Sequence, residues 1–271
     1  MNEFSLLSFN IQTGIDAQRY RHYLTRSWRH VLPSARRQQN LAAITELIKG
    51  FDIVALQEVD AGSLRSGFIN QLQYMAEVGQ FAYSHQRINR DLGHLARQSI
   101  GLLSRYPILN VTSHKLPGRI PGRGAIEATI QISNLAEPLT VIVAHLSLGR
   151  RARWHQLEFL ARRVIEHPLV CLMGDLNTPR EELVLWAKEL NLSVAHDSHF
   201  LGTYPSWAPQ FHIDHILVSG ALPIRRTEFI DVQLSDHLPV AVHVGLPSKH
   251  TVDRRNQEGV PHDEHTSAGN P

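Results

Sequence analysis

The sequence has a single cysteine, Cys171, among its 271 residues. One cysteine excludes an internal disulfide framework, and its position in an apolar run favours a packing role. No run approaches the roughly 18 consecutive apolar residues of a membrane-spanning helix. The N-terminal sequence lacks the basic head, the apolar stretch and the small-residue cleavage site of a signal peptide. We therefore expect a cytoplasmic protein without a transmembrane segment.

The chain also has little excess charge, because 27 Lys and Arg oppose 25 Asp and Glu and leave a formal net charge of +2. This balance does not require a nucleic-acid partner. The charge is unevenly distributed, however, since no acid occurs between Asp16 and Glu46. Residues 19–37 hold six arginines, Arg26 among them, interleaved with tyrosine and tryptophan. The segment is either a solvated surface or an arginine-rich rim for an anionic substrate, and composition leaves both open.

Eight segments have the apolar or β-branched character of strands and are bounded by Gly, Pro or Asn. They cover residues 4–11, 52–59, 99–108, 125–132, 139–146, 169–176, 213–219 and 238–244. Apolar residues recur at helical spacing after Ser34 until Gly50, and a second helical pattern runs from Trp154 to Val164. A third helix is expected at Thr178-Pro179-Arg180-Glu181, which reads as a capping box. This order predicts a mixed α/β domain with more than one sheet.

No linker divides the chain before about Leu246, so we predict one domain over residues 1–246. Residues 247–271 are polar and have no apolar period. We expect this segment to be a disordered tail.

Asp175 and Asn177 stand where a buried strand is followed at once by a helix. A carboxylate there can orient or deprotonate a water, and an amide can donate to an oxygen that gains negative charge. The helix N-terminus adds free N–H groups that favour an anion. Together these groups suit hydrolysis at phosphorus. The alternative is a purely structural Asx turn, which is common at strand ends.

Three further predicted strands carry a polar side chain at their end, namely Asn10, Glu58 and His145. Because ligands of α/β sheets bind at such strand ends, one shared site is the economical interpretation. Carboxylate and amide oxygens suit a hard cation such as Mg²⁺.

Asp214 lies inside an apolar strand, where an unpaired carboxylate would be costly. Asp236 and His237 stand just before another strand. A hydrogen bond between Asp214 and His237 would solve the burial problem and favour the charged imidazole beside a phosphate.

In this order, "SFNI", "LQEVD", "GLLSRYPI", "AHLSLG", "GDLNT", "IDHILVS" and "SDHLPV" resemble the endonuclease/exonuclease/phosphatase superfamily. The pair "GDLNT" and "SDHLP" is specific, whereas "LQEVD" alone would be weak. The resemblance implies a four-layer α/β sandwich, in which two mixed β-sheets pack face to face and are flanked by helices. It also implies phosphoester hydrolysis with Mg²⁺ or Mn²⁺.

The resemblance implies that Glu58 is the main metal ligand, assisted by Asn10, with Asp236 near the metal. Asp175 would activate the attacking water and Asn177 would hold the phosphate. A second set would contact or support the phosphate: His237, its partner Asp214, and His145.

The substrate is a phosphoester whose class the sequence leaves open, either nucleic acid or a phospholipid or small diester. The lysine that abasic-site endonucleases usually carry after their glutamate motif is absent, which disfavours that branch. Arg123, Arg150 and Arg26 are candidate substrate contacts. We expect a phosphodiesterase, with a nuclease proper as the closest alternative and a non-catalytic phosphate-binding scaffold as a remote one.

Overall fold

The computed structural model describes residues 3–14, 35–118, 121–199 and 202–246. Arg26 and the predicted tail from 247 to 271 lie outside the described residues. Within the described ranges, twelve strands form two sheets of six strands each. None of the helices in these ranges is both long and apolar enough to span a bilayer.

The first sheet is built around a parallel pair of central strands. Its members are β1 (Glu3–Asn10), β2 (Ile53–Asp60), β3 (Tyr83–Asp91), β4 (Arg97–Ser104), β11 (Ile224–Phe229) and β12 (Val240–Gly245). The strand order is β11-β12-β1-β2-β4-β3. Only β1 and β2 run parallel, and their other neighbours are antiparallel.

The second sheet repeats this arrangement. It comprises β5 (Ile108–Lys115), β6 (Gly124–Ile130), β7 (Leu139–His145), β8 (Val170–Asp175), β9 (Leu192–Val194) and β10 (Asp214–Ser219). The order is β5-β6-β7-β8-β10-β9, with β7 and β8 as the parallel pair. Both sheets are therefore mixed, as the sequence predicts.

Helices cover the outer faces of both sheets. They are α1 (Ala35–Ile48), α2 (Gln71–Gly79), α3 (Arg150–Val164) and α4 (Arg180–Glu189), and 3-10 turns occupy Gln12–Gly14 and Leu64–Ser66. The apolar face of α1 and α2 packs on the first sheet, and that of α3 and α4 packs on the second. The predicted four-layer α/β sandwich is confirmed.

Strand alternation explains why the layers form. In β1, Leu6 points into the core between the sheets, whereas Leu7 points out under α1. Successive side chains of a strand face opposite sides, so a strand that is apolar on both sides must be covered twice. Each fully buried Leu, Ile or Val side chain contributes about 1.5–3 kcal/mol.

The core between the sheets changes from apolar to polar at one end, and this change positions the site. Along β1 its inward positions begin with Phe4 and end with Asn10, and all of them are buried. On β8 the same face runs from Cys171 to Asp175. The polar ends of the central strands of both sheets therefore meet at one edge of the sandwich.

The predicted capping box of α4 is wrong. Helix α4 begins at Arg180, and Pro179 occupies the N-cap position without a side-chain capping bond. The hydroxyl of Thr178 instead donates to the carbonyl of Leu176 at 2.7 Å. The preceding residue, Asn177, has φ of 48°, and this left-handed turn directs the Thr178 hydroxyl back toward the strand end.

A buried histidine on the outer face of β10 should make the fold sensitive to acid. His215 is 1% exposed, and its Nε2 lies 2.8 Å from the carbonyl of Thr178. Burial, with the His212 ring stacked at 4.7 Å, lowers the pKa of His215 to about 3. As the pH falls below about 6.5, the unfolded chain binds a proton here that the folded chain does not.

Replacing His215 by glutamine should therefore remove part of the acid sensitivity. Between pH 7 and 5 the wild type should lose ~2 kcal/mol of unfolding free energy at this site, and His215→Gln should not. Urea titrations of both proteins at the two pH values measure this difference. Equal losses in the two proteins would show that His215 takes up its proton in the folded chain as readily as in the unfolded chain.

Candidate active site

Asp175 lies at the centre of the polar edge, and the residue before it makes that position possible. Gly174 has φ of 148°, and a Cβ built there would lie 1.9 Å from the carbonyl oxygen of Ala144. Only glycine allows β8 to pass β7 in this way. The next pair in register is Asp175 with His145, so the two side chains lie side by side.

The Asp175 carboxylate accepts hydrogen bonds from three directions. Nδ2 of Asn10 lies 3.1 Å and Nε2 of His145 lies 3.3 Å from Oδ2. The backbone N–H of Asn177 donates to Oδ1 at 3.1 Å. Burial alone would raise the pKa of Asp175, but His145, His237 and the Asn10 amide overcome it and hold that pKa well below its usual range. Asp175 is therefore a buried carboxylate that stays ionised.

Asn177 both forms an Asx turn and offers an amide donor to the site, the two roles that the sequence left open. Its backbone N–H closes an Asx turn on Asp175. Its side-chain Nδ2 donates to the carbonyl of Leu146 at 3.0 Å, which ties the end of β8 to the loop after β7. Since an amide group carries two donor hydrogens, one remains for an oxygen placed in the site. The turn thus positions a donor next to the carboxylate.

Glu58 reaches the site through a bulge, not by ending its strand as the sequence predicted. Strand β2 continues to Asp60, and its pairing with β4 shifts between Leu56 and Val59. Glu58 has φ of 56°, a conformation that a glutamate rarely adopts. The bulge turns its carboxylate toward His145, whose Nε2 lies 4.0 Å away. Bulges commonly redirect a side chain in this way.

Asn10 ends β1 as expected and links the two sheets. Its Oδ1 accepts from the backbone N–H of Gln12 at 3.1 Å, while its Nδ2 donates to Asp175. The hydroxyl of Thr13 donates to the carbonyl of Glu58 at 3.2 Å. The 3-10 turn after β1 therefore holds Asn10 and the bulged Glu58 in place.

His237 and Asp214 form the hydrogen bond expected from the sequence. Nδ1 of His237 lies 2.8 Å from Oδ2 of Asp214, and both residues are buried. Burial lowers the pKa of His237, but Asp214, followed by Asp175 and Asp236, overcomes it and raises that pKa to about 10. Burial also raises the pKa of Asp214 despite the neighbouring His237. The pair holds a proton at neutral pH.

Two residues that support this pair were not predicted. Thr203 donates its hydroxyl to Oδ2 of Asp214 at 2.6 Å, and the ring of Tyr204 lies 4.9 Å from that of His237. They lie on a connection before β10, where no spacing rule links them to Asp214. No feature of the sequence distinguishes this threonine from others.

Arg123 lies beside His145. Its Nη1 is 3.3 Å from Nδ1 of the imidazole. Because a guanidinium can only donate, Nδ1 is the acceptor and Nε2 carries the hydrogen that points at Asp175. Of the other predicted contacts, Asp236 is buried and takes part in the site through its charge on His237. Arg150 is not in the site: it is exposed at the start of α3, on a groove between α3 and α4.

The structure also brings together a group that could hold a cation. Asp175, Asp214 and His237 are all buried, and one ligand atom from each lies within 4.8 Å of the others. Oδ1 of Asp214 is buried and has no hydrogen-bond partner among the described residues. The carboxylate oxygens suit a divalent metal, whereas His237, which carries a proton on each ring nitrogen, is not a ligand in this state. Glu58, half-buried at the rim, adds a further carboxylate.

Comparison with known proteins agrees with this geometry. A model of the endonuclease/exonuclease/phosphatase family matches residues 7–237. No curated protein sequence matches the chain. An endonuclease/exonuclease/phosphatase from Beutenbergia cavernae superposes with a TM-score of 0.71 at 19% identity, over 92% of this chain and 72% of that one.

Two further solved structures share the fold. The human nocturnin catalytic domain with a bound sulfate anion has a TM-score of 0.68 at 17% identity, covering 91% of this chain and 94% of that one. The mannosyl-6-phosphatase of Bacteroides thetaiotaomicron has a TM-score of 0.63 at 17% identity, covering 89% and 99%. The family model matches nearly the whole of the described chain. The chain belongs to the endonuclease/exonuclease/phosphatase family, whose members are generally phosphoester hydrolases that depend on divalent metal ions.

Proposed function

We propose that this protein is a Mg²⁺- or Mn²⁺-dependent phosphodiesterase. One observation carries the proposal: a buried carboxylate that stays ionised, Asp175, lies beside a protonated imidazole, His237. Hydrolysis of a phosphoester needs a base or anchor for the water and a positive group for the phosphate. The polar edge supplies both within one small space.

Asp175 orients the attacking water and accepts its proton. Its Oδ2 is fixed by the amide of Asn10 and the imidazole of His145, so the carboxylate is held before the substrate arrives. Preorganisation of this kind lowers the barrier because no dipole has to turn during the reaction. A base of low pKa orients a water well, and its basicity rises when the neighbouring charges are drawn to a bound phosphate.

His237 binds and stabilises the phosphate. With Nδ1 held by Asp214, its other ring nitrogen carries a proton and is the donor left for a phosphate oxygen. The second amide hydrogen of Asn177 donates from the second sheet, while the Nε2–H of His145 stays on Asp175. These donors suit the negative charge that grows on the oxygens in the transition state.

Glu58, Asn10 and Asp236 would hold the metal, and the oxygen donors fit a hard cation. When bound, the metal ion neutralises phosphate charge and stabilises the leaving oxygen. The strained φ of Glu58 supports this assignment, because strain at one residue is commonly retained where function requires that side chain's position.

Replacing Glu58 by glutamine should first weaken the response to metal. The apparent activation constant for Mn²⁺ should rise tenfold or more, on the order of what losing one supporting group costs at metal sites. A Mn²⁺ titration of initial rates measures this constant. The matched control is Glu77→Gln, at an exposed position of α2. An unchanged constant in Glu58→Gln would remove Glu58 from the metal site.

The proposed activity is tested by parallel assays of the purified protein in Mg²⁺, Mn²⁺ or EDTA. The substrates are bis-p-nitrophenyl phosphate, p-nitrophenyl phosphate, supercoiled plasmid, abasic DNA and a phospholipid panel with sphingomyelin. Metal-dependent hydrolysis of the diester that EDTA abolishes supports the proposal. Faster hydrolysis of the monoester would make the protein a phosphatase, and no hydrolysis of any substrate would leave only a phosphate-binding scaffold.

A nuclease proper is the second candidate, favoured by the arginine beside His145. It predicts metal-dependent nicking of plasmid that weakens steeply with salt, since phosphate contacts release counterions. Hydrolysis of lipid with inert DNA would instead assign the site to a head group. The cytoplasmic location remains a prediction from the sequence.

A further inference from the structure

Three arginines converge on the segment at the start of β6. Arg123 belongs to that segment, and Arg87 and Arg90 come from β3, the edge strand of the other sheet. The segment reads Gly122-Arg123-Gly124, and both glycines lie against an arginine side chain. The two sheets therefore meet here through arginine and glycine.

The guanidinium of Arg87 and the side-chain oxygen of Asn89 together occupy the space where Gly124 lacks a side chain. A Cβ built on Gly124 would lie 2.4 Å from Nη1 and 2.7 Å from Cζ of Arg87. Since Ile126, two residues on, faces the core between the sheets, this space lies on the same inner face. Gly124 pairs directly with His145 across β6 and β7. Cβ positions of such a pair are about 4.5–5.5 Å apart, so the space next to Gly124 adjoins the position of His145 on β7.

Arg90 continues the line outward. Gly122 has φ of 103°, and a Cβ built on it would lie 3.7 Å from the Cβ of Arg90 and 3.8 Å from its Cδ. The stem of Arg90 thus packs over the glycine, and the residue is exposed. Of the two, Arg87 is half-buried and Arg90 is exposed, so Arg87 is the deeper of the pair.

These charges have no neutralising partner in the part of the chain that the structure describes. Arg87 donates to the Asn89 side chain and to the carbonyl of Ile88 at 3.4 Å, both neutral. Among the described residues, no carboxylate lies within 4.0 Å of Arg87, Arg90 or Arg123. Arg97, on the neighbouring strand β4, does pair with Asp91. Burial lowers the pKa of the Arg87 guanidinium. A partly buried cation without a counter-ion is costly, and an external anion would relieve that cost.

We propose that Arg87 and Arg90 form a second anion subsite, which takes the phosphate next to the scissile one. The inference rests on the proposed function and names its substrate class: a phosphoester that carries a neighbouring phosphate. A nucleoside bisphosphate and a nucleic-acid strand share this chemistry. The planar guanidinium of Arg87 can donate two parallel hydrogen bonds to such a phosphate.

Equilibrium binding tests the subsite without requiring turnover. In full-length Asp175→Asn protein with Mn²⁺, calorimetry compares thymidine 3′,5′-bisphosphate with thymidine 5′-monophosphate. The bisphosphate should bind tenfold or more tightly, and adding Arg87→Gln should reduce that ratio below about threefold, as expected for one charge-assisted contact. Equal binding of both ligands before that change, no binding of either, or an unchanged ratio in Arg87→Gln would overturn the proposal.

Two further variants separate position from charge. Gly124→Ala removes no charge but puts a methyl group against the Arg87 guanidinium and the Asn89 oxygen that holds it, so Arg87 must move and the bisphosphate preference should fall. Arg162→Gln, an exposed arginine in the last turn of α3, removes the same charge and should leave the ratio intact. A similar fall in Arg162→Gln would reduce the effect to net charge and contradict a subsite.

A second binding comparison identifies whether the second phosphate belongs to a nucleic-acid chain or to a small molecule. It compares octathymidylate with the same strand whose linkages, except the central one, are neutral methylphosphonates. An Arg87-dependent preference for the charged strand assigns a nucleic-acid chain, and a preference confined to the bisphosphate assigns a small molecule. Both support the subsite. Binding preference without hydrolysis by the unaltered protein would defeat the proposed function alone, and hydrolysis without preference would defeat the subsite alone.

Discussion

Asp175→Asn should lower kcat for bis-p-nitrophenyl phosphate by about 10³-fold, within the range expected for loss of a general base or water anchor. The amide has nearly the shape of the carboxylate, so the Asx turn with the backbone N–H of Asn177 can survive. It lacks the charge, however, and with the Asx turn kept it turns a donor toward both Asn10 and His145, which are donors themselves. Initial rates at saturating substrate and Mn²⁺ measure the effect.

The matched control for this change is Asp52→Asn at the opposite end of the sandwich. The carboxylate of Asp52 accepts from both the backbone N–H and the hydroxyl of Ser5 at 2.8 Å. Its loss should reduce the free energy of unfolding by ~1–3 kcal/mol and leave kcat within about twofold. Asp175→Asn should instead lose kcat and keep most of its free energy of unfolding. If both variants lost activity in proportion to stability, Asp175 would be structural only.

The sequence predicts the interior of the fold better than its borders. All eight strand-like segments correspond to strands, and they account for the inner strands of both sheets. The strands that it missed are β3, β5, β9 and β11, which are the four sheet edges. An edge strand is covered on fewer sides, so segments such as "YSHQRINRD" in β3 need no apolar run. Hydrophobic pattern cannot identify them.

The same distinction applies to the residues of the site. Asn10, His145 and Asp175 are readable because each ends a continuous apolar run, where a polar side chain stands out. The bulge that redirects Glu58 is not readable, because a shift of register depends on the partner strand β4. Nor is Arg87, whose relation to Gly124 exists only once the two sheets are packed. Chemistry next to an apolar strand, including Asp236 and His237 before β12, was predictable, and contacts made only when the sheets pack were not.

The second large effect is expected at His237. His237→Ala should lower kcat by about 10²–10⁴-fold, since it removes the protonated ring that faces the phosphate. It also leaves the buried carboxylate of Asp214 with only the Thr203 hydroxyl on the shared oxygen. His243→Ala on β12 is the matched control, because that half-buried histidine pairs with Glu228 and makes no contact with the site residues. Its activity should be unchanged.

A pH profile separates a phosphate-binding role of His237 from a structural one. Because Asp214 and the other carboxylates raise the pKa of His237 to about 10, its proton should not limit kcat/KM between pH 7 and 9. Asp214→Asn removes the largest interaction that raises this pKa, and burial, which lowers it, remains. The alkaline limb of kcat/KM should therefore move to lower pH in Asp214→Asn. A uniform loss of rate with the limb in place would mean that Asp214 only supports the fold, and that the positive charge at the phosphate comes from another group.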